Sequence, residues 1–162
     1  MADTRSKTVV LVGDGYIKEA KSTAAAITPG HLIERTSAGT VRVHATAGGN
    51  AAKLFAIENE GIGGTIDTAY ANSSLIKFVV GEPGMEINAL LKDGENVAIG
   101  DFLESGGNGR LQKHVADVDL NHPGSADFTI QTNQIVGQAL TACNMSGSAL
   151  VDPSGRFVVE LV

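Results

Sequence analysis

The chain is poor in cysteine and in aromatic residues. Its one cysteine, Cys143, has no partner for an internal disulfide, and one thiol is too few for the usual structural zinc sites. We therefore interpret Cys143 as a small apolar residue that is buried or half-buried. Aromatic residues make up 4% of the chain and tryptophan is absent, so the core must consist mainly of Val, Ile, Leu and Ala.

The chain also has little clustered positive charge and no long hydrophobic run. Its net charge is −6 and its basic residues are scattered, whereas binding to nucleic-acid phosphates needs clustered Lys and Arg. The apolar run near the N-terminus, Val9 to Val12, is too short for a signal peptide or a membrane span. We expect neither nucleic acid nor a membrane as a partner, and we expect synthesis and assembly in a cytoplasm.

Glycine is abundant, and it marks the clearest structural signal. The chain has 20 glycines and 43% hydrophobic residues in 162 positions, which predicts one domain with many tight turns. Val97 to Lys113 predicts a β-hairpin, since two β-type segments flank the turn Ser105 to Gly109. The glycines of that turn supply the positive φ angles that a tight hairpin requires.

A looser copy of this hairpin lies 70 residues earlier in the chain, within Ile27 to Ala45. The two segments share glycines before and after the first strand, and apolar and acidic residues at the same positions. The matched pairs are Gly30 with Gly100, Leu32 with Phe102, Ile33 with Leu103, Glu34 with Glu104, Gly39 with Gly109 and Val41 with Leu111.

Short apolar segments separated by turns continue along the chain and predict an all-β fold. We expect a small β-barrel or β-sandwich, of jelly-roll or β-tulip type, with no parallel sheet. Residues 1–26 are assigned to an extended N-terminal arm and 27–162 to a single β domain. Within the arm, Tyr16 to Ala26 is ambiguous, because its alanines favour helix. The apolar closing segment, Phe157 to Val162, must pair in its own sheet or with a neighbour.

No stretch carries a complete catalytic or metal-binding motif. Val9 to Gly15 begins like a dinucleotide loop but has Lys18 where the third glycine is needed. Asp117 to Asn121 has the oxygen spacing of a calcium loop, yet His122 and Phe128 replace its glycine and its bidentate glutamate. The four histidines lack zinc-site spacing. We expect no enzyme, no cofactor and no metal.

One stretch resembles a carrier domain. Gly94 to Leu103 is similar to the Gly-x-x-Val-x-x-Gly-Asp-x-Leu stretch of biotinyl and lipoyl carrier domains. Those domains present a modified lysine beside Met or in an Asp-Lys-Ala context, and neither Lys92 nor Lys113 has such neighbours. We attribute the shared pattern to a common β-turn geometry.

As a set, three segments resemble the head decoration, or cement, proteins of tailed bacteriophages. They are Pro29 to Glu34, Gly94 to Leu103, and Ile135 to Leu140 with Phe157 to Leu161, and the resemblance covers most of the chain in order. It implies a structural protein of the virion that binds the outer capsid surface between capsomers and stabilises the shell. The implied partners are the major capsid protein and further copies of the chain, as a homotrimer or a dimer.

The alternative is a non-catalytic β-barrel binding module for a carbohydrate or protein ligand, against which the low aromatic content counts. For the decoration protein, we predict self-association through Leu75 to Val80 and Phe157 to Val162, and capsid contacts through Ala2 to Ala26. The predicted protein-interaction residues are Thr8, Val10, Val12, Tyr16, Ile17, Phe78, Phe157, Val159 and Leu161.

Overall fold

The computed structural model describes residues 7–23, 27–115, 134–147 and 154–162. Over these residues the chain forms thirteen β-strands and one 3₁₀ turn, Glu60–Ile62. The strands are β1 (Val10–Val12), β2 (Tyr16–Lys21), β3 (Leu32–Arg35), β4 (Val41–Val43), β5 (Leu54–Ala56), β6 (Leu75–Val80), β7 (Glu86–Leu90), β8 (Asn96–Val97), β9 (Phe102–Gly107), β10 (Arg110–Lys113), β11 (Gly137–Ala139), β12 (Cys143–Asn144) and β13 (Arg156–Leu161).

The strands form three antiparallel sheets, which confirms the all-β prediction. One sheet has five strands in the order β2-β6-β5-β3-β4, and a second has six in the order β1-β7-β13-β11-β9-β10. The third contains only β12 and β8. The sheets are not closed into continuous barrels.

The two hairpins related by the 70-residue offset have the same strand register. In the β3–β4 hairpin Ile33 lies opposite Val43, and in the β9–β10 hairpin Leu103 lies opposite Lys113. The glycines that the sequence matched also share a backbone conformation that favours glycine. Their φ angles are +94° and +91° for Gly30 and Gly100, and +76° and +74° for Gly39 and Gly109.

This similarity extends from the hairpins to two whole sheets. The order β2-β6-β5-β3-β4 has the same connectivity as β7-β13-β11-β9-β10. The pair Ala56 and Phe78, which joins β5 to β6, has its equivalent in Ala139 and Val159, which join β11 to β13. The described residues therefore contain a tandem pair of five-stranded units, here called repeat 1 (within residues 16–81) and repeat 2 (within residues 85–162).

Each repeat curls until the strands at the two ends of its sheet order, β2 and β4 in repeat 1 and β7 and β10 in repeat 2, come into contact. In repeat 1, Ser22 forms a parallel bridge with Val41, and in repeat 2, Leu91 forms one with Leu111. In each repeat the bridge joins the residue just after the first strand, β2 or β7, to the second strand of the hairpin, β4 or β10. This curling gives each sheet an inner face and an outer face.

Repeat 1 buries both faces of its sheet, whereas repeat 2 buries mainly the inner face. On repeat 1 the inner face packs around Ile33 and Phe78, and the outer face, with Leu32 and Phe55, joins a second cluster shared with repeat 2. Repeat 2 contributes its inner face to that shared cluster, including Leu103. Successive strand residues point to opposite faces, so repeat 1 is apolar on both faces and repeat 2 on one.

The N-terminal arm differs from the prediction over its described residues. Strand β1 pairs with β7 of repeat 2, and β2 pairs along its whole length with β6 of repeat 1. Hydrogen bonding to β6 therefore decides the conformation of Tyr16–Lys21 in favour of strand over helix. Residues 1–6 and 24–26 lie outside the described residues.

The two segments predicted for self-association are interior strands. Strand β6 lies between β2 and β5, and β13 lies between β7 and β11. Both edges of each strand are thus used within the chain, which corrects the expectation that copies share them. The segment Phe157 to Val162 has its pairing partner in its own sheet.

Two further observations bear on the sequence predictions. The calcium-like segment Asp117 to Asn121, with His122 and Phe128, lies outside the described residues. Among the residues that are described, none belongs to a helix long and apolar enough to cross a membrane.

Candidate interaction surface

The nine predicted interaction residues divide into an exposed and a buried group. Val12, Tyr16 and Ile17 are exposed, whereas Thr8 and Val10 are half-buried. The other four are in the core, and this part of the prediction is corrected, because side chains on interior strands face the chain's own hydrophobic clusters. They are Phe78, Phe157, Val159 and Leu161.

The exposed group lies on and next to β2. Tyr16 is 69% exposed and Ile17 is 64% exposed, although they point to opposite faces of the strand. Beyond β2, on the side away from β6, none of the described strands pairs with it. Strand β2 therefore presents two large apolar side chains and a free backbone edge, the combination typical of a strand that binds another protein.

The equivalent strand of repeat 2 is covered. Its β7 pairs with β13 on one side and with β1 on the other, where Val10 lies opposite Ile87. Three residues of β1 thus occupy on repeat 2 the edge that is open on repeat 1. Compared with β7, the edge of β2 has no partner among the described strands and leaves room for one.

A glycine turn fixes β1 and β2 in these places. Gly13 has φ +97°, and a Cβ added there would lie 2.7 Å from Cγ of Met85. At Gly15 an added Cβ would overlap the side chain of Val79. Larger residues would push the turn off the sheets, so the glycines hold the exposed β2 strand close to the core.

Thr8 anchors the segment before β1 to repeat 1. Its hydroxyl donates a hydrogen bond to the Glu58 carboxylate, and the backbone N–H of Val9 donates to the second oxygen of that carboxylate over 3.1 Å. Val9 itself is fully buried. Thr8 therefore has a structural role in this chain, and the partner contact proposed for it stays a prediction.

Two equivalent glutamates, Glu104 and Glu34, are hydrogen-bonded to neighbouring side chains. In repeat 2, Nδ1 of His114 lies 2.7 Å from Glu104, which also accepts a bond from Gln112 over 2.6 Å. In repeat 1, the equivalent Glu34 accepts a 2.6 Å bond from Arg42. Within the described part of the chain, no three His, Cys, Asp or Glu side chains are placed to hold a metal ion.

The single thiol is poorly suited to nucleophilic chemistry. Burial raises the pKa of Cys143 above its usual value, so the thiolate form is scarce at neutral pH. The side chain is half-buried on β12 and packs against the shared hydrophobic cluster. This position agrees with its interpretation as a small apolar residue.

Two exposed apolar groups were not anticipated from the sequence. One is Ile99, Phe102 and Val115 on repeat 2, and the other is Ile62 and Leu75 on repeat 1. Phe102 precedes the buried Leu103 and points to the other face of β9. The sequence pattern placed Phe102 in the hairpin but indicated no contact for its side chain. Its match to Leu32, which is fully buried, was the available signal that this position suits burial.

Ile62 and Leu75 flank a depression of about 170 Å³, which Tyr70 also lines. Its volume is below the roughly 300–1,000 Å³ of typical small-molecule pockets. The phenol of Tyr70 is engaged beneath it, since it donates a 2.7 Å hydrogen bond to the carbonyl of Ile57. The depression is thus a shallow apolar contact area.

Comparison with protein-family models gives no match for this chain, and comparison with curated proteins gives none either.

Proposed function

We propose that the protein is a structural decoration protein, which binds the outer surface of a tailed-phage head between capsomers and stabilises the shell. The observation that carries the proposal is β2, an edge strand with two exposed apolar side chains, Tyr16 and Ile17. It lies in the N-terminal segment Ala2 to Ala26, for which the capsid contact is predicted from the sequence. The partner would be the major capsid protein, which would add a strand or a loop along this edge.

The form of the chain suits a role that depends on many weak contacts. A single three- to six-residue edge offers modest affinity, but a capsid repeats the same contact over its whole surface. Self-association of the decoration protein would multiply the contacts of each bound oligomer. Binding that bridges neighbouring capsid subunits would stabilise the expanded shell by mass action.

Binding to shells tests the proposal. Heads of the phage that encodes the chain, expanded and stripped of this protein, are mixed with the purified chain and sedimented. We expect the wild-type protein to co-sediment and to saturate at a fixed number of copies per capsid subunit. We expect the double variant Tyr16→Ser, Ile17→Ser to lose at least about tenfold in affinity, because central apolar contacts dominate such interfaces.

The matched control is the double variant Ile62→Ser, Leu75→Ser, which removes two exposed apolar side chains elsewhere on repeat 1. It should bind shells as the wild type does. If the control variant lost binding and the β2 variant kept it, the capsid contact would lie at the depression beside Ile62 and Leu75 instead of at β2. Absence of wild-type binding to heads would refute the proposed function.

The depression beside Ile62 and Leu75 is the one observation that favours the alternative, a β-barrel module that binds a protein ligand. An apolar side chain of a partner would fill it. If Leu75→Arg abolished binding to a partner other than a phage head, while Tyr16→Ser did not, the alternative would replace the proposed function.

A further inference from the structure

The two repeats contact each other through the tip of one hairpin. In repeat 2 the tip is residues 106–109, between β9 and β10. Gly109 inserts between two backbone groups of repeat 1: its carbonyl accepts a bond from Leu32 N–H over 2.8 Å, and its N–H donates to the carbonyl of His44 over 3.1 Å. We call His31, Leu32 and His44 the slot of repeat 1.

Side chains and close packing reinforce this contact. His44 Nδ1 lies 2.7 Å from the hydroxyl of Ser105, at the base of the tip, and the carbonyl of Ser105 accepts a 2.7 Å bond from Gly48. A Cβ added to Gly109 would lie 2.9 Å from Cγ of His31. The tip therefore fits the slot only because glycine stands at this position.

Each repeat has both a tip and a slot, and the chain uses one of each. The equivalent tip of repeat 1, Ser37 to Gly39, is exposed, and a Cβ added to Gly39 would meet nothing within 4 Å. The equivalent slot of repeat 2 is Asp101, Phe102 and His114. There His114 N–H donates to the carbonyl of Phe102 over 2.7 Å, as His44 does to Leu32 in repeat 1.

The slot of repeat 2 has the same backbone hydrogen bond between its two strands as the occupied slot of repeat 1, yet no described residue fills it. Among the backbone hydrogen bonds that the described residues form outside the strand ladders, none has Phe102 N–H as its donor, whereas Leu32 N–H donates to Gly109. Phe102 is 47% exposed and the adjacent Val115 is 69% exposed, whereas Leu32 is fully buried. A large apolar residue is thus left in solvent at the position that repeat 1 buries.

From this asymmetry we infer that a second copy of the chain inserts its repeat 1 tip into the slot of repeat 2, reproducing between chains the contact that joins the repeats within one. The inference deepens the self-association part of the proposed function and rests on that part alone. Because the surfaces in contact differ, the interface is head-to-tail, and it closes into a ring or continues as a filament.

Charge on the two surfaces is complementary. Arg35 takes the place at the base of the repeat 1 tip that Ser105 takes in repeat 2, by the register of the two hairpins. In the chain itself the Arg35 guanidinium lies over the Phe78 ring, 5.3 Å from its centroid. Docked in the same way as Ser105, Arg35 would lie near His114, whose Nδ1 is hydrogen-bonded to Glu104. A cation close to a histidine–carboxylate pair is electrostatically favourable. Because the chain carries both groups, a second copy of the chain can supply the cation.

Turn geometry makes the contact between chains weaker than the one within the chain. The repeat 2 tip is an Asn108–Gly109 turn in which both residues have positive φ, and Gly107 before it also has positive φ. The repeat 1 tip has a single positive-φ residue, Gly39, after Ser37 and Ala38. We therefore expect an association that depends on concentration.

Two variants block the two surfaces separately. Gly39→Asn keeps a residue that tolerates positive φ but adds a Cβ that would meet Asp101 of the next copy. Phe102→Lys with Val115→Lys removes the apolar lining of the slot. Matched controls are Gly63→Asn, at the same φ of +76° with open space around it, and Ile62→Lys with Leu75→Lys.

Sedimentation velocity on the full-length proteins provides the readout. We expect the wild type and both controls to form the same oligomer, and each blocked variant to associate at least about tenfold more weakly. A mixture of the two blocked variants should form a one-to-one dimer, because one supplies the intact tip and the other the intact slot. Only a head-to-tail interface predicts this complementation.

A wild-type protein that stays monomeric, or an oligomer unchanged by both blocked variants, would overturn the inference. So would a mixture that gives no dimer although each variant folds as the wild type does by circular dichroism. Capsid binding is measured separately: an oligomer of this kind that fails to bind heads leaves the inference intact and removes the proposed function.

Discussion

The two repeats share strand order and hairpin register but differ in what covers them. Strand β1 pairs with the edge of β7, while the edge of β2 has no described partner. The slot of repeat 1 holds Gly109, while the slot of repeat 2 leaves Phe102 exposed. Equivalent parts of the two repeats are thus covered within the chain in one repeat and exposed in the other. This difference points to the edge of β2 and the slot of repeat 2 as surfaces open to partners.

The largest expected difference between the repeats is in the core. Phe55 on β5 and Gln138 on β11 occupy equivalent positions, opposite Leu32 and Phe102. Phe55 is fully buried in the shared cluster, so Phe55→Ala should destabilise the fold by about 3–5 kcal/mol. Gln138→Ala should cost less than about 1 kcal/mol. Urea denaturation measures both, and equal losses would contradict the assignment of the faces.

The second difference concerns the two tip glycines. Gly39→Ala and Gly109→Ala both force alanine into positive φ, at about 1–2 kcal/mol. At Gly109 the added Cβ also meets His31 at 2.9 Å, which should add roughly 1–3 kcal/mol. Thermal denaturation of the two variants provides the comparison. If Gly39→Ala were the more damaging, the tip of repeat 2 would not be the docked one.

The third difference concerns the paired glutamates. Glu104 is almost fully buried, so His114→Ala leaves part of a buried carboxylate without a partner, at about 1–3 kcal/mol. Arg42→Ala removes an exposed partner of Glu34 and should cost under about 1 kcal/mol. Both free energies of unfolding come from urea titrations at neutral pH. A larger loss in Arg42→Ala would show that the surface pair matters more than the buried one.

The smallest difference appears in the dependence on pH. Asp101 takes the place of His31, and the N–H of Ala98 together with Lys113 lowers the pKa of its carboxyl. A carboxyl whose pKa is lowered by folding stabilises the folded state. This stabilisation is complete above the pKa of the unfolded chain, 3.8, and is lost as the pH falls through the pKa of the folded chain. Asp101→Asn should therefore flatten the stability profile below about pH 4. An unchanged profile would contradict this role.

The sequence predicted the hairpins well, because their register depends on glycine positions and on apolar alternation, which both copies retain. It did not reveal the full repeat, since equivalent positions carry different residue types. Phe55 corresponds to Gln138, and Val79 to Glu160, because repeat 1 buries its outer face as well as its inner face, whereas these outer-face residues of repeat 2 are only half-buried. A shared topology in which only one of the two faces is buried in both repeats leaves little sequence similarity to detect.

The exposure of the predicted interaction residues matched expectation only in part, for a related reason. Tyr16 and Ile17 are exposed, as expected for an extended arm. Phe157, Val159 and Leu161 were expected at an interface, because an alternating apolar strand has the same pattern at an edge and in the interior. Strand order, which decides between the two, depends on long-range pairing that no local pattern contains.

Amide hydrogen exchange at two equivalent residues tests the central claim most directly. Leu32 N–H is bonded to Gly109 within the chain, so it should exchange slowly at every protein concentration. Phe102 N–H should exchange rapidly in dilute protein and become protected as concentrated protein associates. Protection of Phe102 equal to that of Leu32 in the monomer, or no protection of Phe102 at any concentration, would contradict the account.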